Sequence, residues 1–213
     1  NPDLNTEKAV HYVLGVERDF PADIEVRLEG FYKDYDDMVT QDPEENYLNK
    51  GDRRAWGFDL YVKKNIGDWI DGWIAYSYIK TEDIVLERRD PAAYGKPRYE
   101  TPLDEWYAPS HDRPHNLSLV LNIHFSAEWK LALTFKYASG APYTPLKGVE
   151  EYNDLATGKT VYEPVWGEYN SERLPAYHTL DVKLTMPFFG LDGFSSYFQL
   201  INSYNHKNVQ DYY

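Results

Sequence analysis

The sequence predicts an all-β fold, an antiparallel transmembrane β-barrel wall of about eight strands, and three features carry the prediction. Apolar and polar residues alternate at period two along most of the chain. The connections between these stretches are short and long by turns. Aromatic residues gather at the ends of the stretches, and aliphatic residues fill their middles.

The elements follow in order. The first strand sets Val10, Tyr12, Leu14 and Val16 against His11, Val13, Gly15 and Glu17; the second sets Ile24, Val26 and Leu28 against Glu25, Arg27 and Glu29. In the third, Trp56, Phe58, Leu60 and Val62 oppose Gly57, Asp59, Tyr61 and Lys63. In the fourth, Ile70, Ile74, Tyr76 and Tyr78 oppose Asp71, Trp73, Ala75 and Ser77. The fifth carries Leu117, Leu119, Leu121, Ile123 and Phe125 on one face, and the sixth carries Trp129, Leu131, Leu133, Phe135 and Tyr137. The seventh shows Leu180, Val182, Leu184 and Met186. An eighth, less regular, is expected over residues 194–204.

Strands one and two join through Pro21-Ala22-Asp23, three and four through Asn65-Ile66-Gly67-Asp68, five and six through Ser126-Ala127-Glu128, and seven and eight across residues 189–193. The remaining connections, expected over residues 36–52, 81–114 and 139–175, are long and polar. Outer-membrane barrels sort their loops this way, with short periplasmic turns and long extracellular loops. Phe20, Trp69, Phe125, Trp129, Phe188 and Phe194 lie near the short turns. Tyr32, Tyr35, Tyr76, Tyr78, Tyr137, Tyr143, Tyr177 and Tyr204 lie near the long loops. Rings with an apolar body and a polar tip suit a water–lipid boundary, so two such bands read as membrane girdles.

Composition bounds the alternatives. Sixteen per cent of the chain is aromatic, with 20 Tyr and 6 Trp, which suits a lipid boundary and equally an aromatic-rich soluble carbohydrate binder. The mean hydropathy of −0.67 and the lack of any apolar run near ~20 residues argue against a membrane-spanning helix. A net charge of −13 argues against a nucleic-acid partner. With no cysteine there is no disulfide framework, no thiolate metal site and no cysteine nucleophile. Asn1 opens a polar, acidic segment with no leader pattern. Both termini are expected on the long-loop side, and an open sheet would leave unpaired edges in lipid. Residues 1–213 are therefore read as one arc of a single, larger barrel domain.

The motifs add a resemblance. Asn1-Pro2-Asp3-Leu4-Asn5-Thr6-Glu7 followed by Tyr12-Val13-Leu14-Gly15-Val16-Glu17 resembles the "NPxLxPE…YxLGxE" segment of TonB-dependent receptors, with Thr6 where Pro is usual. Gly30-Phe31-Tyr32-Lys33-Asp34-Tyr35, Trp56-Gly57-Phe58-Asp59-Leu60 and Trp73-Ile74-Ala75-Tyr76-Ser77-Tyr78 are similar to successive strands of that family. Asp112-Arg113-Pro114-His115-Asn116 resembles its "DxRHN", residues 137–145 its "YxSGxPYTP", and residues 174–181 its "LPxYxRLD". Residues 202–209 are similar to its late "NxFNxxNV" strand. These matches run in family order over almost the whole chain. The resemblance implies late strands of a roughly 22-stranded barrel, without the plug domain, the TonB box or the closing strand. It implies energised import of a scarce, bulky solute such as a siderophore, cobalamin or a glycan. The partners implied are outer-membrane lipid, a plug from the same full-length protein and the TonB complex, with the bacterial outer membrane as location. A passive pore or structural barrel without a plug is the alternative; a soluble carbohydrate-binding β-sandwich is a third reading. The sandwich predicts that the face of residues 117–125 packs against a second sheet.

No chemistry stands out. His111 and His115 beside Asp112 lack the helix that would converge such spacing on a metal, and they read as residues ordering the start of the fifth strand, with Asp112 and Arg113 in polar contacts. Asp34, Asp36, Asp37, Asp42, Glu44 and Glu45 lack the spacing of a calcium loop and read as a solvated surface. No Gly-x-Ser-x-Gly elbow is present, and Glu150 and Glu151 read as solvated, so no enzyme, cofactor or metal is expected. Inward-facing Glu25, Arg27, Glu29, Asp59, Lys63, Lys130, Lys136, Asp181 and Lys183 would meet water or a plug on the lumen side, and most of them are expected to pair across neighbouring strands. Ligand contacts are expected in the long loops, at Tyr94, Tyr99, Trp106, Tyr107, Tyr152, Tyr162, Trp166 and Tyr169.

Overall fold

A computed structural model describes residues 4–40, 48–86, 102–154, 158–189 and 193–210. Its strands are β1 (Lys8–Phe20), β2 (Ile24–Thr40), β3 (Leu48–Ile66), β4 (Ile70–Val85), β5 (His115–His124), β6 (Lys130–Ala138), β7 (Pro142–Tyr143), β8 (Leu146–Asp154), β9 (Lys159–Trp166), β10 (Glu172–Arg173), β11 (Tyr177–Pro187) and β12 (Ser195–Leu200). Among the described residues there is no helix, and so none long and apolar enough to cross a membrane. Eight strands form one antiparallel sheet in the order β1-β2-β3-β4-β5-β6-β11-β12. β7 with β10 and β8 with β9 form two small sheets of their own, all within the connection from β6 to β11.

The register aligns the alternating faces into rows. Directly paired residues share a face, and Val26, Val62, Ile74, Leu119, Phe135 and Leu180 stand side by side across six strands. The next residues along, Glu25, Lys63, Trp73, Val120, Thr134 and Asp181, form a mixed row on the other face. A one-residue slip anywhere would turn an apolar set inward, which is why the register is strongly specified.

Among the described residues no second layer covers the apolar face. Ala55, Ile84 and Leu174 are the buried hydrophobic residues among those described, while Leu14 is 80 % and Phe125 64 % exposed. The sandwich reading required an inter-sheet core against residues 117–125, and each strand of the large sheet packs on its sheet neighbours instead. Apolar rows left open along the whole wall are what a lipid-facing surface requires.

The strands run further than their apolar pattern. Residues 36–52 were expected to be loop, yet β2 and β3 stay paired out to Thr40 and Leu48, across a bulge between Tyr35 and Met38. β4 continues to Val85 in the stretch expected to be loop from residue 81, and the 139–175 connection carries four short strands. Beyond the membrane both faces of a strand meet water, so polarity there marks solvation and not the end of pairing. At the bulge Asp37 takes a left-handed conformation (φ 57), held by Lys8 Nζ on its carboxylate at 2.8 Å and Asn49 Nδ2 on its carbonyl at 2.6 Å. β12 is shorter than the expected 194–204, because the chain turns at Asn202 and Asn205, both left-handed. Of the tyrosines assigned to the long-loop band, Tyr35 and Tyr177 pair with Arg53 and Ala138 and so face inward, whereas Tyr32, Tyr76, Tyr78 and Tyr137 face outward.

Candidate functional site

At the long-loop end, three segments far apart in sequence meet at one buried carboxylate. Asp112 is 1 % exposed. Its Oδ1 accepts the Thr81 backbone N–H of β4 at 3.0 Å, and its Oδ2 accepts Arg173 Nη2 of β10 at 2.5 Å. Arg173 Nη1 also donates to the carbonyls of Asp112 at 2.8 Å and Gly140 at 3.1 Å. A buried carboxylate is tolerable only when its lone pairs are met, and a guanidinium fork meets them while spanning several groups at once. Gly140 is a glycine because a Cβ there would lie 1.6 Å from the Leu174 carbonyl oxygen. The polar contact expected of Asp112 is made across the fold, with a partner 61 residues away.

Further contacts fasten the same two connections. Asn170, left-handed at φ 51, donates its backbone N–H to Thr144 Oγ1 at 3.0 Å and its side-chain amide to the Ala108 carbonyl at 2.7 Å. Tyr143 donates its hydroxyl to Glu172 Oε2 at 2.9 Å, and Lys147 reaches the other oxygen at 3.3 Å. Tyr107 exchanges backbone hydrogen bonds with Asp83, both at 2.9 Å, and so extends the sheet by one bridge beyond β4.

That bridge decides where neighbouring side chains point. Tyr107 shares the inward face with its partner Asp83, and there its ring meets Tyr169 edge-on at 5.1 Å. Trp106, one residue earlier, lies over the Arg54 guanidinium at 4.2 Å, on the outward side with Trp56. On the inward side Arg53 and Asp83, directly paired, make two hydrogen bonds of 2.6 and 2.7 Å. The Asp83 carboxylate holds Arg53 above its ordinary range, against a smaller opposing effect of burial. His111 is pushed below the usual imidazole range, first by partial burial and then by the charge of Arg53. Asp52 is pushed above the usual carboxylate range by desolvation and by the nearby Asp36, Asp37 and Asp34, against one hydrogen bond from the Asp37 N–H.

The other expected contact residues distribute as follows. Tyr152 and Tyr162 lie on the β8–β9 hairpin, Tyr152 donating to Glu163 at 3.0 Å and Tyr162 65 % exposed. Trp166 ends β9, paired with Leu146. Tyr94 and Tyr99 lie outside the described residues, as do Asp42, Glu44 and Glu45. Among the described residues no three His, Asp or Glu side chains converge in a geometry that could hold a metal. His115 instead faces outward, with its Nδ1 2.8 Å from the Tyr76 hydroxyl. Arg53, Asp83, Asn170 and Arg173 stand in no sequence pattern that marks them. The one signal open to reading was that polar residues beside family motifs, such as Arg173 before Leu174-Pro175, need partners.

The wall charges also depart from expectation. Arg27 reaches Glu17 at 2.8 Å and Glu25 at 3.6 Å. Lys63, Lys130, Lys136 and Lys183 form no ion pair among the described residues, and Glu29 stands directly opposite Asp59, like against like. Glu25 faces Lys63 in register yet turns to Arg27, and Lys183 lies over the Tyr197 ring at 4.2 Å. Cross-strand pairing therefore does not account for most of these charges.

The comparisons agree with this geometry. The family model described as TonB dependent receptor-like, beta-barrel matches residues 1–202. Among solved structures, the outer membrane transporter YddB of Escherichia coli is similar at TM-score 0.62 and 14 % identity, over 97 % of this chain and 30 % of that one. The ferric-catecholate import receptor Fiu of Escherichia coli aligns at TM-score 0.59 and 15 % identity, over 97 % and 24 %. The FrpB iron transporter of Neisseria meningitidis aligns at TM-score 0.61 and 13 % identity, over 96 % and 28 %. The chain thus spans less than a third of the length of these structures, and at such identities the likeness is one of fold. No curated protein sequence matches it. The aligned apolar rows, the sorted loops and the family match together place the chain in the TonB-dependent receptor β-barrel family of the bacterial outer membrane, a family of transport barrels and not of enzymes.

Proposed function

We propose that this chain is a wall arc of an energised outer-membrane importer for a scarce, bulky solute of the siderophore, cobalamin or glycan class. The observation that supports it best is the inner face, where among the described residues Glu29, Asp59, Lys63, Lys130, Lys136 and Lys183 make no ion pair. A wall that only sealed itself would neutralise them locally; these are suited to a hydrated lumen and to a plug that docks reversibly on it. The plug would come from the same full-length protein, and the TonB complex would supply the energy through it. Among the described residues the sheet edges β1 and β12 carry unpaired backbone groups, which lipid does not tolerate, so further strands of that protein would close the barrel. Solute contact is assigned to the long-loop rim. Tyr107 and Tyr169 form its inward-facing pair, with Tyr152, Tyr162 and Trp166 on the β8–β9 hairpin; Tyr94 and Tyr99 are candidates by sequence and lie outside the described residues.

Uptake by the native organism tests the reading. A gene deletion should abolish saturable uptake of one labelled ferric chelate, cobalamin or oligosaccharide at submicromolar concentration, and inactivating TonB should do the same. Flux that is linear in concentration and indifferent to TonB would instead establish a passive pore.

A further inference from the structure

The apolar face of the wall is interrupted near its short-turn end by a groove with a cation beside it. Lys64 pairs directly with Gly72, and Gly72 with Leu121, so this row of the outward face has a gap where a side chain would stand. The gap is obligatory: a Cβ on Gly72 would lie 2.6 Å from the Val120 carbonyl oxygen. The resulting depression, about 360 Å³, is bounded by Val62, Ile66, Ile70, Ile74, Leu119 and Leu121, with Lys64 at its margin. That volume lies within the ~300–1,000 Å³ typical of small-molecule clefts.

Lys64 is exposed and, among the described residues, has no ion pair. It lies two residues from the end of β3 at Ile66, roughly 7 Å along the strand. A lysine stem can cover that distance along an apolar surface and carry its ammonium to the membrane boundary. The boundary itself is marked by Trp69, 56 % exposed in the adjoining turn. A fixed positive charge at headgroup depth beside an apolar furrow matches an amphiphile with an anionic head and a hydrocarbon tail.

We propose that Lys64 and the Gly72 groove bind one net-anionic phospholipid of the periplasmic leaflet, its phosphate on Lys64 Nζ and one acyl chain along the groove. The inference rests on this face meeting lipid and is independent of which solute is imported.

Native mass spectrometry of the full-length protein in detergent provides the test, with dioleoyl phosphatidylglycerol and dioleoyl phosphatidylcholine competing at equal concentration. The expected result is one retained phosphatidylglycerol, favoured at least fivefold. Lys64→Gln should remove that preference, and Lys64→Arg should restore it. Leu121→Trp, which fills the groove, should lower retention of both lipids. Lys63→Gln, on the inner face, should change nothing. Equal retention of the two lipids by the wild type would overturn the proposal whatever the variants do, as would an unchanged preference in Lys64→Gln. Heat-modifiable migration of the wild type reports the barrel separately, so a failure of the lipid site is distinguishable from a failure of the membrane reading.

Discussion

Leu133 lies midway between the two aromatic bands of its strand, four residues from Trp129 and four from Tyr137. With a rise of about 3.3 Å per residue and a tilt near 40°, the eight residues between those rings climb roughly 20 Å, so Leu133 is about 10 Å from either interface. The register sets it in the row of Leu121 and Val182, facing outward. Leu133→Arg therefore moves a guanidinium to the depth where lipid-facing arginine costs barrels about 2–4 kcal/mol. Thr134→Arg, one residue on, faces inward beside Asp181 and should stay within about 0.5 kcal/mol of wild type. At about 1.4 kcal/mol per tenfold change, Leu133→Arg should lower the folding equilibrium constant by roughly 30- to 700-fold. Guanidinium titration of the full-length protein in phospholipid bilayers, followed by tryptophan fluorescence and gel migration, measures both variants. Equal costs for the two, or a larger cost at Thr134, would refute the assignment of the lipid and lumen faces.

Three more expectations follow from the rim and turns. Arg173→Ala leaves the buried Asp112 carboxylate with the Thr81 N–H alone, and should loosen the rim by about 2–3 kcal/mol, below the ~3–5 kcal/mol of a fully buried pair because Arg173 is part exposed. Faster amide exchange at Thr81 and Leu174 with the wall strands unchanged would report it. Asp52 has its carboxyl pushed up by burial and by the neighbouring aspartates, so the native state favours its protonated form; the β2–β3 tip is firmest in acid and loses that stability as pH rises through the raised value. Asp52→Asn keeps an oxygen for the Asp37 N–H, at 3.3 Å in the wild type, and should slow exchange at Met38 and Gly51 at pH 7 while flattening its pH dependence. Ala22 occupies the left-handed region at φ 68 in the first short turn, so Ala22→Gly should stabilise the β1–β2 hairpin by about 1 kcal/mol in the same titration.

Much of the wall was legible because lipid imposes a single periodic demand. Leu117, Leu119 and Leu121 alternate with Ser118, Val120 and Asn122 since one face meets hydrocarbon and the other water, and that contrast is written in residue type. The eight wall strands, their antiparallel order and the four short turns follow from it directly. Past the aromatic bands the contrast disappears. The bulge at Asp36 and Asp37, the continuation of β4 to Val85 and the small strands between Ala138 and Tyr177 lie where both faces are wet, so no periodicity announced them.

What tertiary structure alone decided is the rim. That Asp112 meets Arg173, and that Tyr107 faces inward while Trp106 faces out, depends on which segments the fold brings within hydrogen-bonding distance of each other. Alternation is a local property of one strand in a two-sided medium, so the sequence carries it openly. A hydrogen bond between residues 61 apart in the chain depends on the path of everything between them, and only the folded chain specifies that path.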